Sequence, residues 1–247
     1  MQQNQSPLTR PPILSVAYWR DAAANLKDVR MVALAAMIVA LRALCKMLEI
    51  PIAPGLNINV AALFNSVGAM VYGPVVGVVG AIVSDPLGYL LHPDGPYFLP
   101  FMLTDMSSSF IFGLFFWRRQ LTVSRTMTAK FTVNMVSNVI LTSAIMKWYY
   151  LIFYGVEKAE AYNLINLTRI VKNLVMFPIE AILIAVMLGA LSPALYRLRL
   201  LPEKPDLHLK VRHYILLAVL TLLAIGLVVF YVVFLKDFVK EHNFKLW

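Results

Sequence analysis

Cysteine is almost missing from this 247-residue sequence: Cys45 stands alone, which excludes an internal disulfide and a thiolate metal cluster. The four histidines (His92, His208, His213 and His242) are scattered near loops and ends, so neither a metal nor a cofactor is expected. There is no GxxxxGK[ST], so the chain does not hydrolyse ATP by a P-loop. HExxH and GxSxG are absent too, and no catalytic dyad stands out, so the chain is not read as an enzyme. Charge is scarce: 14% of residues are charged, against about 25% in soluble domains. Apolar residues reach 60%, which excludes a disordered chain, a collagen-like fibre and an ordinary soluble enzyme. A polytopic membrane protein remains.

The net charge is +9, from 22 Lys+Arg against 13 Asp+Glu. No nucleic-acid motif accompanies it, and the basic residues flank apolar runs, as charges that orient a membrane protein do. Seven runs follow one another: residues 31–48, 57–72, 75–91, 98–117, 130–153, 167–196 and 213–235. A span needs about 17–25 residues. The second and third runs are marginal alone and count as spans because Gly73-Pro74 makes a tight hinge between them. Lys and Arg gather before run one (Arg10, Arg20, Lys27, Arg30), between runs four and five (Arg118, Arg119, Arg125), and between runs six and seven (Arg197, Arg199, Lys204, Lys210, Arg212). The opposite loops hold only Lys158, which places the N-terminus in the cytoplasm. Lys236, Lys240 and Lys245 after run seven oppose the direction this gives that run.

Ionisable residues inside spans are costly and point to function. With this orientation Arg42, Lys46, Asp85, Asp105, Lys147, Arg169 and Lys172 all fall in the outer half, and Glu180 lies near mid-depth. That reads as a pocket open to the exterior. Arg169, Lys172 and Asn173 share one helix face, with Glu180 on the same face. Asn134, Asn138 and Thr142 form a second polar stripe. Snorkelling of Arg169 and Lys172, or hydrogen bonds between helices, are the plainer readings. Five bases against three acids leave room for an anionic ligand, although Lys172 and Glu180 can pair. Two loops, 51–59 with Asn57 and 91–98 with Tyr97, frame the pocket. Tyr97 and Phe98 can stack on a flat ring or sit in an interfacial belt with Trp148, Tyr149 and Tyr150. Ala36 and Ala40 on run one, and the glycines of run three, mark close helix contacts, internal or with a partner.

The stretch 73–88, GPVVGVVGAIVSDPLG, resembles the G-P-x-x-G-x-x-x-G-x-x-x-D-x-L-G signature of the substrate-binding (S) components of energy-coupling factor vitamin transporters, with one glycine gap shorter. Residues 93–98 and Gly113 fit as well. The run 169–180, RIVKNLVMFPIE, is similar to the R-x-x-K-N-x-x-x-x-P-x-E of folate-specific members, as is the Ala40-Leu41-Arg42 run. This resemblance implies a six-helix bundle that captures a vitamin from outside and works with a transmembrane coupling (T) subunit and two ATPases. It implies Arg42, Arg169 and Lys172 for charged or polar recognition, Asn138 and Asn173 for the ring, Tyr97 for closing the site, and Ala36 and Ala40 for the coupling subunit. Asp105 and the seventh run depart from the family pattern.

The expectation is therefore an all-α transmembrane protein of a prokaryotic cell membrane: a cytoplasmic tail over 1–30, partly ordered or holding an interfacial helix with Ile13, Leu14, Ala17 and Tyr18 on one side; a six-span vitamin-binding bundle over 31–197; a basic linker over 198–212; and an extra helix over 213–247. The expected ligand is folate or a reduced folate, with another anionic or heterocyclic vitamin as the alternative. The expected partners are the T subunit, two ATPases and lipid, without nucleic acid. A lipid-modifying enzyme using Asp85 and Asp105 and a purely structural protein are the readings from other classes.

Overall fold

The computed structural model describes residues 12–53, 56–93, 95–162 and 167–201, together with ten residues between Ile215 and Val233. Residues 1–11, residues 202–212 of the 198–212 basic linker and most of the seventh run lie outside the described residues; those described in that run are helical.

Helix α1 (Val16–Ala24) starts at Ser15, whose side chain accepts from the Tyr18 amide. Helix α2 (Val29–Cys45) is capped likewise by Asp28. An antiparallel hairpin follows, β1 (Glu49–Ala53) with β2 (Leu56–Asn59), its register shifting between Pro51 and Ala53. Proline has no N–H for the ladder, and the irregularity begins there.

Helix α3 (Val60–Leu91) is interrupted at Gly73, with φ 83°, immediately before Pro74. Ser109 hydrogen-bonds to Asn65 and also lies against Gly77. In a straight helix those two residues would be about 18 Å apart. The chain therefore reverses at Gly73, and α3 is two antiparallel arms, as the Gly73-Pro74 hinge predicts. Residues 65–74 of the first arm are all buried, so this arm sits inside the bundle.

Helix α4 (Met102–Phe116) returns along α3. One long helix, Val123–Tyr154, follows, made of α5 (Val123–Val133), a π-helical stretch Asn134–Leu141 and α6 (Thr142–Tyr154). Short α7 (Val156–Ala161) precedes α8 (Leu167–Arg197). Four described helices, Val60–Leu91, Leu99–Phe116, Val123–Tyr154 and Arg169–Arg197, are long and apolar enough to cross a membrane. With α3 doubled back and the 17-residue α2 at the short end of the range, six passes result.

The apolar core fills one half of the bundle. Val67, Met70 and Val71 of α3 meet Ile111, Phe112 and Phe116 of α4, Val133 of α5, and Ile184 and Leu188 of α8. Helix α1 closes this end. Tyr18 is buried edge-on against Trp117, Asp21 pairs with Arg118 at 2.7 Å, and Asn25 donates to the carbonyl of Tyr72, the last residue before the break. Ile13 packs there too, whereas Leu14 and Ala17 face outward. The N-terminal segment is thus tied to the bundle from Ile13 onward.

Candidate functional site

The half of the bundle away from Trp117 is held by polar side chains, which form two walls. The first lies between α2, α3 and α4. Lys46, just past α2, donates to Asp85 at 2.8 Å and lies 3.2 Å from Asp105. Arg42, one turn earlier and 3% exposed, lies 3.5 Å from Asp105. Ser109, one turn beyond Asp105, sits 3.5 Å from Arg42 Nη1 and donates to Asn65 at 2.8 Å. Tyr97, from the loop after α3, donates to Asp85 at 3.2 Å and packs on Tyr89. Partial burial and the Asp85 carboxylate push the Tyr97 phenol up from its ordinary value. The helices approach closely here. A Cβ on Gly88 would run into the Lys46 side chain, and one on Gly80 would press Val39, so the small residues of the second α3 arm serve internal packing.

The second wall lies between the π-helical stretch and α8. Asn138 donates to Asn173 Oδ1 at 3.2 Å and to Asn134 Oδ1 at 3.3 Å. Asn134 donates to the Asn173 carbonyl, and Asn173 to the Arg169 carbonyl at 2.9 Å. Asn134 and Asn138, four residues apart on this stretch, lie on the side that faces α8. Thr142 is spent locally, on the Ser137 carbonyl. Arg169 reaches Tyr162, which packs on Tyr150. Ser137 donates to Ser107 of α4 at 3.0 Å and ties the two walls together.

Two sequence expectations change. Glu180 pairs with Lys130 of α5 at 2.9 Å, not with Lys172, and both partners are buried (7% and 1% exposed). Lys130 opens an apolar run and so reads as flanking charge; only the packing of α5 on α8 places it inside. The surplus of five bases over three acids also dissolves in part, because Arg42 and Lys46 are matched by Asp105 and Asp85. Among the described residues, Lys147 and Lys172 have no carboxylate within 4 Å. Of the expected site residues, Arg42 and Tyr97 belong to the first wall, Asn138, Arg169 and Asn173 to the second, and half-buried Lys172 lies beside them on α8. Asn57 is exposed on β2. Sequence reasoning left out Asn65, Ser109 and Tyr162. Ala36 and Ala40 are exposed on α2 with Ala33, Met37 and Leu44, so this face is not used for internal packing.

Residues 25–193 match the family model described as ECF-type riboflavin transporter, S component. The chain belongs to the S components of ECF-type transporters. This S component is 30% identical over 132 residues to the folate transporter FolT of Clostridium novyi, covering 53% of the present chain and 72% of that one. It is 27% identical over 154 residues to FolT of Leuconostoc mesenteroides, covering 62% and 81%. Its fold is like that in a crystal structure of FolT bound with folic acid, with TM-score 0.53 and 24% identity, over 64% of this chain and 91% of that one. It is a multi-pass membrane protein and a transporter subunit, not an enzyme. Helix α1 and the seventh run lie outside the residues that match the family model.

Proposed function

We propose that this S component captures folate or a reduced folate at its polar half and delivers it through a coupling subunit and two ATPases. The observation that carries this reading is the α8 wall: the RxxKN run, similar to that of folate-specific members, sets Arg169, Lys172 and Asn173 together, with Asn173 locked to Asn138. The folate-transporter names of the relatives support it. Folate is a flat pterin joined to a dicarboxylate, and half-buried cations beside amide donors suit such a molecule. In this reading the β1–β2 end faces the exterior, the N-terminus is cytoplasmic and the cell is prokaryotic. Residues 31–197 form the vitamin-binding unit, 198–212 link it to an added transmembrane helix over 213–247, and Ala36 and Ala40 meet the coupling subunit.

Riboflavin is the competing ligand, because the matching family model bears its name. It has no carboxylate, so its binding would be indifferent to Lys172. The delivery step is tested by uptake of labelled folic acid into cells that carry the chain, a coupling subunit and the ATPases. Ala36→Trp with Ala40→Trp is expected to abolish uptake and leave binding to the purified chain within about twofold, since a bulky residue at a small-xxx-small face blocks close helix approach. Unchanged uptake by the double variant contradicts the assignment of this face.

A further inference from the structure

The two walls differ in charge. In the first, two cations meet two carboxylates: Lys46 lies within 3.2 Å of both Asp85 and Asp105, and Arg42 is 3.5 Å from Asp105. That wall is neutral as built. In the second, Lys172 follows Arg169 by three residues, and Glu180 is already held by Lys130. Lys172 has no carboxylate within 4 Å among the described residues, so the positive charge it leaves for an anion is on the α8 side. Exposure points the same way. Arg42 is 3% exposed, whereas the Asp105 side chain is 28% exposed; its Oδ2, beside Arg42 and Lys46, is buried, so what a ligand can reach of this pair is the rest of the Asp105 side chain. An incoming carboxylate at this wall would meet Asp105 in front of Arg42, and like charges repel. A ring edge carrying N–H groups would instead find a carboxylate acceptor, in the charge-assisted pairing that is among the stronger hydrogen bonds.

We infer that Asp105 sets the direction of the ligand: a heterocycle bearing N–H donors lies against Asp105 and the ligand's carboxylates lie against Lys172 and Arg169. This rests on the folate reading, since folate has ring N–H and amino groups at one end and two carboxylates at the other. Asp105 is then a specificity residue peculiar to this chain's pattern, a partly exposed counter-ion for Arg42 that also recognises the ring.

The test is calorimetric titration of the full purified chain in detergent with folic acid, with pteroic acid, which keeps the pterin and lacks the glutamate, and with p-aminobenzoylglutamate, which lacks the pterin. A lost hydrogen bond to a charged group corresponds to about 10–100-fold in affinity. Asp105→Asn is expected to weaken folic and pteroic acids by the same factor in that range and not to weaken p-aminobenzoylglutamate. Lys172→Gln is expected to weaken folic acid at least about tenfold and pteroic acid by less than about threefold. The direction is overturned if Asp105→Asn leaves pteroic acid binding unchanged, or if Lys172→Gln weakens both pterins equally. If Asp105→Asn does not fold, Asp105→Glu, which keeps the charge and displaces the carboxylate, takes its place: it is expected to weaken both pterins and spare p-aminobenzoylglutamate, and unchanged pterin binding overturns the direction. A wild-type chain that binds none of the three overturns the folate reading itself, whereas binding with the opposite pattern overturns only the direction.

Discussion

Replacing Glu180 with alanine is expected to lower the stability of the bundle by about 3–5 kcal/mol, the usual cost of stranding one partner of a buried ion pair. Lys130 is 1% exposed and its only carboxylate partner among the described residues is Glu180, 2.9 Å away. In the middle of an apolar bundle the stranded ammonium has no water to turn to. The pair itself need not stabilise, because both charges were desolvated to form it. Lys130→Met with Glu180→Leu is therefore expected to recover most of the loss and to unfold near the wild-type temperature. Cys45 makes the measurement direct. It is the chain's one cysteine and it is buried, so a thiol-reactive fluorophore reports unfolding in detergent. A double variant no more stable than Glu180→Ala would contradict a coupled pair.

Gly73→Ala is expected to cost about 2–4 kcal/mol, from two separate causes. At φ 83° any residue with a Cβ is strained, and an ideal Cβ there would lie 2.8 Å from the Trp117 ring. Gly155 separates the causes. It has φ 88° and nothing within 4 Å of a built Cβ, so Gly155→Ala carries the backbone strain alone, about 1–2 kcal/mol. The same thermal assay compares them, and equal losses at the two positions would show that the Trp117 contact contributes nothing. Because Tyr18 and Asn25 brace this hinge from α1, the Gly73 variant is also expected to loosen the N-terminal segment, visible as faster proteolysis near Ala24.

Much of the architecture was legible in the residues, for identifiable reasons. Gly73-Pro74 could only be a break, and the short runs on either side could only be spans if the chain turned back there. The polar stripe at Asn134 and Asn138 and the Arg169-Lys172-Asn173 face followed from helical spacing, and the helices carry them to one wall. Partnerships across the bundle were not legible. Nothing local says that α2 and α4 bring Arg42 to Asp105, or that α5 and α8 bring Lys130 to Glu180. Charge counting without those pairs overstated the positive field. The β1–β2 hairpin was hidden because Pro51 interrupts its first strand and the ladder is made by backbone groups.

The most direct test of the account is binding of vitamins to the purified full chain, by calorimetry in detergent. Folic acid and 5-formyltetrahydrofolate would be titrated beside riboflavin, thiamine, biotin and pantothenate. The account predicts that the folates bind without metal or ATP, that the others do not, and that Lys172→Gln weakens the folates. Binding of riboflavin alone, or of no vitamin by protein that unfolds cooperatively in the Cys45 assay, would contradict it.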